Sequence, residues 1–195
     1  MKIILGSQSP RRKEIMEFFS LPFEQVPAHF DEDSIPFSGD PALHAITLSQ
    51  KKAEVIAHKF PNEIILTADT VVFFNGKLYN KPLDAQEAFS FLKAFSGKSQ
   101  QVITGVTVRR GSEVFSKHEE TTLLFNKLSD SQIRKFHSKC HACDKAGGFA
   151  IEKGGALVIS KIEGCYYNVL GLPINTAALL LLNVGIDLWD FLKEL

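Results

Sequence analysis

The chain has 195 residues, of which 45% are hydrophobic and 23% are charged, a composition typical of a folded domain with a sizeable apolar core. Basic and acidic residues number 22 each, so no overall charge would attract nucleic acid or an anionic membrane. Three cysteines, an odd number, and an N-terminus without a recognisable export signal predict a cytoplasmic protein with reduced thiols. We therefore expect neither a nucleic acid polymer nor a membrane as a partner.

In the first third of the chain, the sequence pattern predicts a strand at residues 2–5, a helix at 11–19 and a second strand at 23–27. An acidic loop at 31–40 and a long helix at 41–59 follow. Ser9 directly precedes Pro10, and proline is favoured at the first position of a helix, so Ser9 is the expected N-cap. The long helix follows from apolar residues that recur every three to four positions.

In the middle of the chain, the pattern predicts a buried strand at residues 63–74, a returning strand at 78–81 and a helix at 84–95. Two paired strands at 101–109 and 112–124 follow. Asn75 and Gly76 are typical of a tight hairpin turn. Asp84 and Gly97 are expected to begin and end the intervening helix.

In the last third, the pattern predicts a helix at residues 129–138, a strand at 156–162, a loop at 164–173 and a helix at 174–183. Trp189 and the phenylalanines are expected to be core or packing residues. Strands and helices alternate without repeats, which predicts a single α/β or α+β domain over residues 1–195 with a mixed sheet.

The segment GSQSPRR combines hydroxyl groups and two adjacent arginines at the predicted start of a helix. A helix N-terminus attracts anions, and Ser7, Ser9, Arg11 and Arg12 would add donors suited to phosphate. Two cations in a first turn oppose the helix dipole unless an anion binds. The segment is therefore as consistent with a phosphate site as with a solvated, capped basic turn.

Asp69 is the second candidate because it stands inside the apolar segment IILTADTVVFF. A buried charge is costly unless it is paired or binds a metal, so a functional carboxylate competes here with an aspartate that caps a turn. Three other charged residues would by themselves be ordinary surface or loop charges: Glu32, Lys52 and Lys81. Lys52 is expected on the polar side of its helix.

The segment HSKCHAC, residues 137–143, contains two histidines and two cysteines. Structural zinc sites usually use two well-separated pairs of ligands, whereas these four residues are crowded together. The pattern favours neither a zinc site nor a redox pair.

Taken together, these segments resemble the Maf family, nucleoside triphosphate pyrophosphatases named for a link to septum formation. The match covers nearly the whole chain in the order of the family. The segments concerned are GSQSPRR, FEQVPAHFDED, LSQKKA, ADT, NKP, DKAGGFAIE and YYNVLGLP. Each is weak evidence alone, but seven in the same order are specific.

The resemblance implies a two-lobed, mixed-sheet α/β fold similar to that of inosine triphosphate pyrophosphatases, with the active site in the cleft between the lobes. It implies attack of water on the α-phosphorus of a nucleotide, a divalent metal (Mg²⁺ or Mn²⁺), frequently a homodimer, and a link to cell division. Asp69 is assigned as general base and Glu32 as metal ligand, with these two roles interchangeable. The other residues that it marks are Lys52 and Lys81 for catalysis and Ser7, Ser9, Arg11 and Arg12 for phosphate binding.

Three positions separate branches of this family. The branch acting on dTTP and UTP has Arg, Thr and Gln, the branch acting on 7-methyl-GTP has Trp, Gln and Glu, and this chain has Arg11, Thr70 and Glu152. A Gln accepts from uracil N3–H and donates to O4, whereas an ionised Glu only accepts, which suits guanine. Arg11, however, lacks the tryptophan face that would stack on a methylated purine. Glu152 would alternatively turn away and pair with Lys153 or an arginine.

From these residues we expect dTTP and UTP, and modified pyrimidine nucleotides, as the better substrates. The alternatives are a 7-methyl-GTP pyrophosphatase and a non-catalytic nucleotide-binding regulator of septum formation.

Overall fold

The fold is built around one mixed β-sheet of seven strands. The computed structural model describes residues 2–140 and 144–194. The spatial order is β2–β1–β3–β5–β6–β7, and β4 pairs with the far end of β3. β1 is parallel to β2 and β3, whereas the remaining pairs are antiparallel. The strands are β1 (Ile3–Gly6), β2 (Phe23–Gln25), β3 (Ile64–Phe74), β4 (Lys77–Leu78), β5 (Ser99–Arg110), β6 (Glu113–Phe125) and β7 (Ile159–Glu163).

Six α-helices connect and cover these strands within the described residues: α1 (Pro10–Met16), α2 (Pro41–Lys59), α3 (Ala85–Phe95), α4 (Asp130–Lys139), α5 (Tyr166–Leu170) and α6 (Ile174–Leu182). Short 3-10 turns occur at Glu32–Ser34, Ala146–Gly148, Lys153–Leu157 and Leu188–Phe191. In the part of the chain that the structure describes, no helix has the length and hydropathy needed to cross a membrane.

Local sequence signals account for most of the element boundaries. The side chains of Ser9, Asp84 and Ser129 accept backbone N–H groups at the starts of α1, α3 and α4, as N-caps do. Asn75 and Gly76 have φ values of 49° and 77°, the left-handed conformation that a tight hairpin turn requires. The predictions for Ser9, Asp84, Asn75 and Gly76 are confirmed.

Several predictions are wrong, and tertiary contacts account for two of them. The returning strand expected at 78–81 is only Lys77–Leu78. α1 was expected to reach Phe19 but ends at Met16. Phe19 instead pairs with Leu192 of the C-terminal segment. The expected loop over 164–173 contains α5, which is held by buried hydrogen bonds of Asn168. β7 begins only at Ile159, after the 3-10 turn. Trp189 is 80% exposed rather than buried, for which the fold offers no explanation.

Two large apolar clusters lie at opposite ends of the same face of the long strands β3, β5 and β6. The first lobe packs β1, α1 and α6 around residues such as Leu5, Leu66 and Val108. The second lobe packs α3 and α4 around residues such as Val72, Phe95 and Phe125. α2 covers the opposite face of the sheet, over smaller clusters. This arrangement is the two-lobed mixed-sheet fold expected from the sequence.

Candidate active site

The candidate site lies where β3 extends beyond the end of β1. β1 pairs with β3 only as far as Gly6 and Thr67, while β3 continues to Phe74 with β5 on its other side. Asp69 and Thr70 therefore stand next to the carboxyl end of β1, where ligands commonly bind in open α/β sheets. Since successive strand residues point to opposite faces, Asp69 faces α2 and Thr70 faces the side of α1.

Lys52 joins two carboxylates on the α2 side of the sheet. Its ammonium contacts Asp69 Oδ1 and lies 2.9 Å from Glu32 Oε1. Asp69 and Lys52 are only 7% and 9% exposed, so the expectation that Lys52 lies on the polar side of its helix is wrong. It lies on the buried face of α2, one helical turn after Ser49. The sequence segments ADT and LSQKKA thus meet in one cluster of charges.

The charges of this cluster depend on one another. A buried carboxylate or ammonium is tolerated when it is paired, and removal of one partner leaves an uncompensated charge. Glu32 differs from the other two because its side chain is 53% exposed. The cluster therefore opens to solvent on the side of Glu32, where a cation or a phosphate can approach.

Arg12 is the centre of a second group on the α1 side. Its Nε donates to the carbonyl of Gly171 (2.7 Å), its Nη2 to Thr70 Oγ1 (3.0 Å) and its Nη1 to Ser7 Oγ (3.2 Å). Ser9 caps the helix by accepting from the Arg12 backbone N–H. A guanidinium has five N–H donors, so one donor on each terminal nitrogen is left for a ligand.

The guanidinium, rather than the helix dipole, supplies most of the attraction for an anion here. A helix N-terminus is equivalent to roughly half a positive charge, whereas the guanidinium at the start of the 7-residue α1 carries a full one. Burial lowers the pKa of Arg12, and the nearby Asp69 carboxylate opposes that shift. Because arginine starts from so high a pKa, its positive charge persists at neutral pH.

Arg11 faces away from this group and forms an ion pair across the cleft between the lobes. Its Nη1 lies 3.6 Å from Glu152 Oε2, an oxygen that has no hydrogen-bond partner among the described residues. Of the alternatives for Glu152, pairing with an arginine is the one that the structure shows. Burial and the negative charge of Glu152 both raise the pKa of the neighbouring Tyr166.

Lys81 is the one predicted site residue that the structure leaves without a contact to the others, within residues 2–140 and 144–194. It is exposed and follows β4. The backbone N–H of Gly147 donates to the carbonyls of Tyr79 and Asn80, which brings the segment DKAGG against this turn. That segment contains Lys145, which the sequence motifs did not single out although its side chain is 17% exposed and paired with Asp144.

The donor set fits a hard divalent cation shared with a substrate. In the described part of the chain, no three His, Cys, Asp or Glu side chains gather into a metal site formed by protein ligands alone. Glu32 and Asp69 provide carboxylates around one ammonium, and Mg²⁺ typically binds one or two carboxylates together with substrate phosphates. His137 instead lies 3.1 Å from the Gly148 carbonyl, and burial lowers its pKa. His141 and Cys143 lie outside the described residues.

Comparisons with known proteins identify the same family that the order of the sequence motifs indicated. A family profile described as Maf-like protein matches residues 2–184. A dTTP/UTP pyrophosphatase of Chlamydia caviae is 42% identical over 192 residues, covering 98% of each chain. One from Latilactobacillus sakei is 40% identical over 180 residues, covering 92% of this chain and 99% of the relative.

Among solved structures, a nucleoside-triphosphatase (dITP/XTP pyrophosphatase) of Mycobacterium abscessus aligns with a TM-score of 0.43 and 13% identity. The alignment covers 64% of this chain and 74% of that one. This likeness is too distant to support an inference about function.

Proposed function

This chain belongs to the Maf family, and on that basis we propose that it is a nucleoside triphosphate pyrophosphatase that acts on dTTP and UTP. The reaction would join a water oxygen to the α-phosphorus and break the bond between that phosphorus and the oxygen that bridges to the β-phosphate. The products would be pyrophosphate and the nucleoside monophosphate. Relatives named dTTP/UTP pyrophosphatases support the choice of substrate.

The observation that supports hydrolysis most directly is the buried Asp69–Lys52 pair next to the Arg12 group. In this proposal Asp69 would accept the proton of the attacking water, as a general base does. Lys52 contacts that carboxylate, and among the described residues Arg12 has one N–H donor left on each terminal nitrogen for phosphate oxygens. Phosphoryl transfer depends mainly on such positioning and charge stabilisation.

Glu32 and Asp69 would hold the divalent cation, Mg²⁺ or Mn²⁺, with the triphosphate supplying further oxygen ligands. When bound, the cation would neutralise charge on the phosphates and acidify water. Lys52, which contacts both carboxylates, would then be displaced towards the phosphates or would share the site. Lys81 lies on an exposed turn, and its role in catalysis stays a prediction.

The Arg11–Glu152 pair offers a physical account of pyrimidine recognition by a chain that lacks the glutamine of that branch. The resemblance assigns both positions to the base. Glu152 can accept from N3–H of uracil or thymine, and Arg11 can donate to O4. The pair would thus present both functions of one glutamine amide, and the repulsion between a lone Glu152 and O4 would be removed.

A substrate panel tests the proposed function. With Mg²⁺ present, we expect pyrophosphate release from dTTP and UTP to exceed release from CTP and 7-methyl-GTP by about tenfold or more, the ratio that one base-directed hydrogen bond provides. EDTA should abolish the activity and added Mg²⁺ should restore it. A preference for 7-methyl-GTP would refute the pyrimidine assignment, and activity that persists in EDTA would refute the metal assignment.

Substitution of the two paired residues tests base recognition. Arg11→Met should lower kcat/KM for dTTP by about 10- to 100-fold, because it leaves Glu152 as an unpaired acceptor facing O4. Glu152→Gln should stay within about threefold of the parent, since the amide provides both functions. The double variant should recover most of the activity lost in Arg11→Met. An Arg11→Met enzyme with unchanged kcat/KM, or a double variant without recovery, would contradict this account.

The homodimer, the cytoplasmic location and the link to cell division stay predictions. A regulator that binds nucleotide without turnover is the remaining alternative. Such a protein would be stabilised by dTTP and Mg²⁺ in thermal unfolding and would release no pyrophosphate.

A further inference from the structure

Two hydroxyl groups, the half-buried Thr70 and the buried Thr104, form a line that crosses the sheet between the two lobes and ends at Arg12. Arg12 Nη2 donates to Thr70 Oγ1 at 3.0 Å, and the hydroxyls of Thr70 and Thr104 are 2.9 Å apart. Thr104 Oγ1 in turn donates to the backbone carbonyl of Asn168 at 3.1 Å. Thr70 and Thr104 are register partners on β3 and β5, so the sheet itself sets their separation.

The direction of these hydrogen bonds follows from the supply of protons. Each threonine hydroxyl has one proton. Thr104 gives its proton to the Asn168 carbonyl, so Thr70 must donate in the bond between the two hydroxyls. Thr70 is then left with lone pairs only, and one of them points at Arg12. The hydrogen bond to Thr104 therefore orients the Thr70 hydroxyl so that its oxygen accepts from Arg12 Nη2.

The far end of the line is anchored by Asn168, whose residue is fully buried. Its side-chain nitrogen donates to the Val102 carbonyl and to Thr121 Oγ1, each at 2.9 Å. Asn168 belongs to α5, and the carbonyl of Gly171 at the end of α5 accepts from Arg12 Nε. α5 thus holds Arg12 directly at one nitrogen and, through the two threonines, at another.

We propose that Thr104 is a positioning residue for phosphate binding, which acts by orienting Thr70 and through it Arg12. This inference rests on the proposed function, in which Arg12 binds the triphosphate. It also gives Thr70 a role other than contact with the base, since its hydroxyl is engaged by protein groups on both sides. Thr104 itself is fully buried behind Thr70 and would touch no substrate.

The test compares Thr104→Val with Thr107→Val, a substitution at an equally buried threonine on the same strand. Thr107 lies on the opposite face and bonds to Ser49 (2.7 Å) and Ser116 (2.9 Å), so its loss should affect stability alone. Thr104→Val should raise the KM for dTTP about tenfold, with kcat within about threefold, since the affected group binds phosphate. Thr107→Val should lower the Tm to a similar extent and leave KM unchanged.

Binding of inorganic tripolyphosphate, measured by calorimetry, separates this inference from the proposed function. Thr104→Val should weaken that binding about tenfold even if the parent protein hydrolyses no nucleotide. Thr104→Ser, which restores the hydroxyl, should return both KM and the tripolyphosphate Kd to within about threefold of the parent.

A double-mutant cycle with Thr70→Val provides a second measurement, and Thr70→Val alone serves if Thr104→Val does not fold. Because the two hydroxyls act in series, the double variant should be no worse than the more impaired single variant. Additive losses would overturn the proposal. So would a Thr104→Val protein with the tripolyphosphate Kd of Thr107→Val, or a Thr104→Ser protein as impaired as Thr104→Val.

Discussion

Asp69→Asn should lower kcat for dTTP about 1,000-fold while nucleotide binding survives, a loss in the range that general bases contribute. Asparagine has the size of aspartate but cannot take a proton from water. Lys52 keeps Glu32 Oε1 as a partner at 2.9 Å, so the ammonium is not left unpaired. Ser7, Ser9 and Arg12 keep their hydrogen bonds, because none of these involves Asp69. Pyrophosphate release measures the loss, and the shift in Tm with dTTP and Mg²⁺ measures binding.

Two further variants make this prediction specific. Asp190→Asn, at an exposed aspartate near the C-terminus, should leave kcat unchanged. Glu32→Gln should raise the Mg²⁺ concentration needed for half-maximal rate and regain turnover when Mg²⁺ is abundant. If Asp69→Asn kept more than a tenth of the parental kcat, the base would be another group. If Mg²⁺ rescued Asp69→Asn but not Glu32→Gln, the two carboxylates would have exchanged roles.

Gly105→Ala should destabilise the fold by about 4 kcal/mol, the scale of severe overpacking, and lower the Tm by about 10 °C. Gly105 is the register partner of Asp69, and α2 crosses it in backbone contact. A Cβ at this position would lie 2.3 Å from the carbonyl carbon of Ala45 and 2.4 Å from Ile46 N. These are backbone atoms, so relief requires α2 to move away from the sheet, taking Lys52 with it. Urea unfolding followed by circular dichroism measures the free energy.

Gly111→Ala is the matched control, since this glycine lies in the β5–β6 turn with φ at +60°, and a Cβ added there would meet no described atom within 4 Å. It should cost about 1 kcal/mol, the conformational penalty alone. A Gly105→Ala protein that is no less stable than Gly111→Ala would show that α2 adapts without cost. The folded fraction of Gly105→Ala should also lose hydrolysis, because Lys52 no longer reaches both carboxylates.

The candidate site was largely identifiable from residue types and motif order, whereas the partners of its residues were not. GSQSPRR, LSQKKA and ADT indicated Ser7, Arg12, Lys52 and Asp69, and the fold brings these segments to the end of β1. Lys52 was nevertheless expected on a polar helix face, because a lysine that follows Gln50 and Lys51 has the pattern of a solvated surface. Only the packing of α2 across β3 and β5 buries it.

Features whose chemistry is local follow from the sequence alone. Ser9, Asp84 and Ser129 cap helices through N–H groups three residues away, and Asn75–Gly76 adopts the positive φ angles of its turn without help from distant residues. Such contacts can be predicted from short segments of sequence, since both partners are close neighbours along the chain.

Contacts between residues far apart in the chain depend instead on how the elements pack together. Arg12 is held by the carbonyl of Gly171, 159 residues away, and Arg11 meets Glu152 only because the two lobes face each other. α5 is a helix because Asn168 satisfies buried polar groups of β5 and β6, which its own short segment could not reveal. The charge of a side chain is a property of its residue type, but its burial and its partner follow from how the sheet and helices pack.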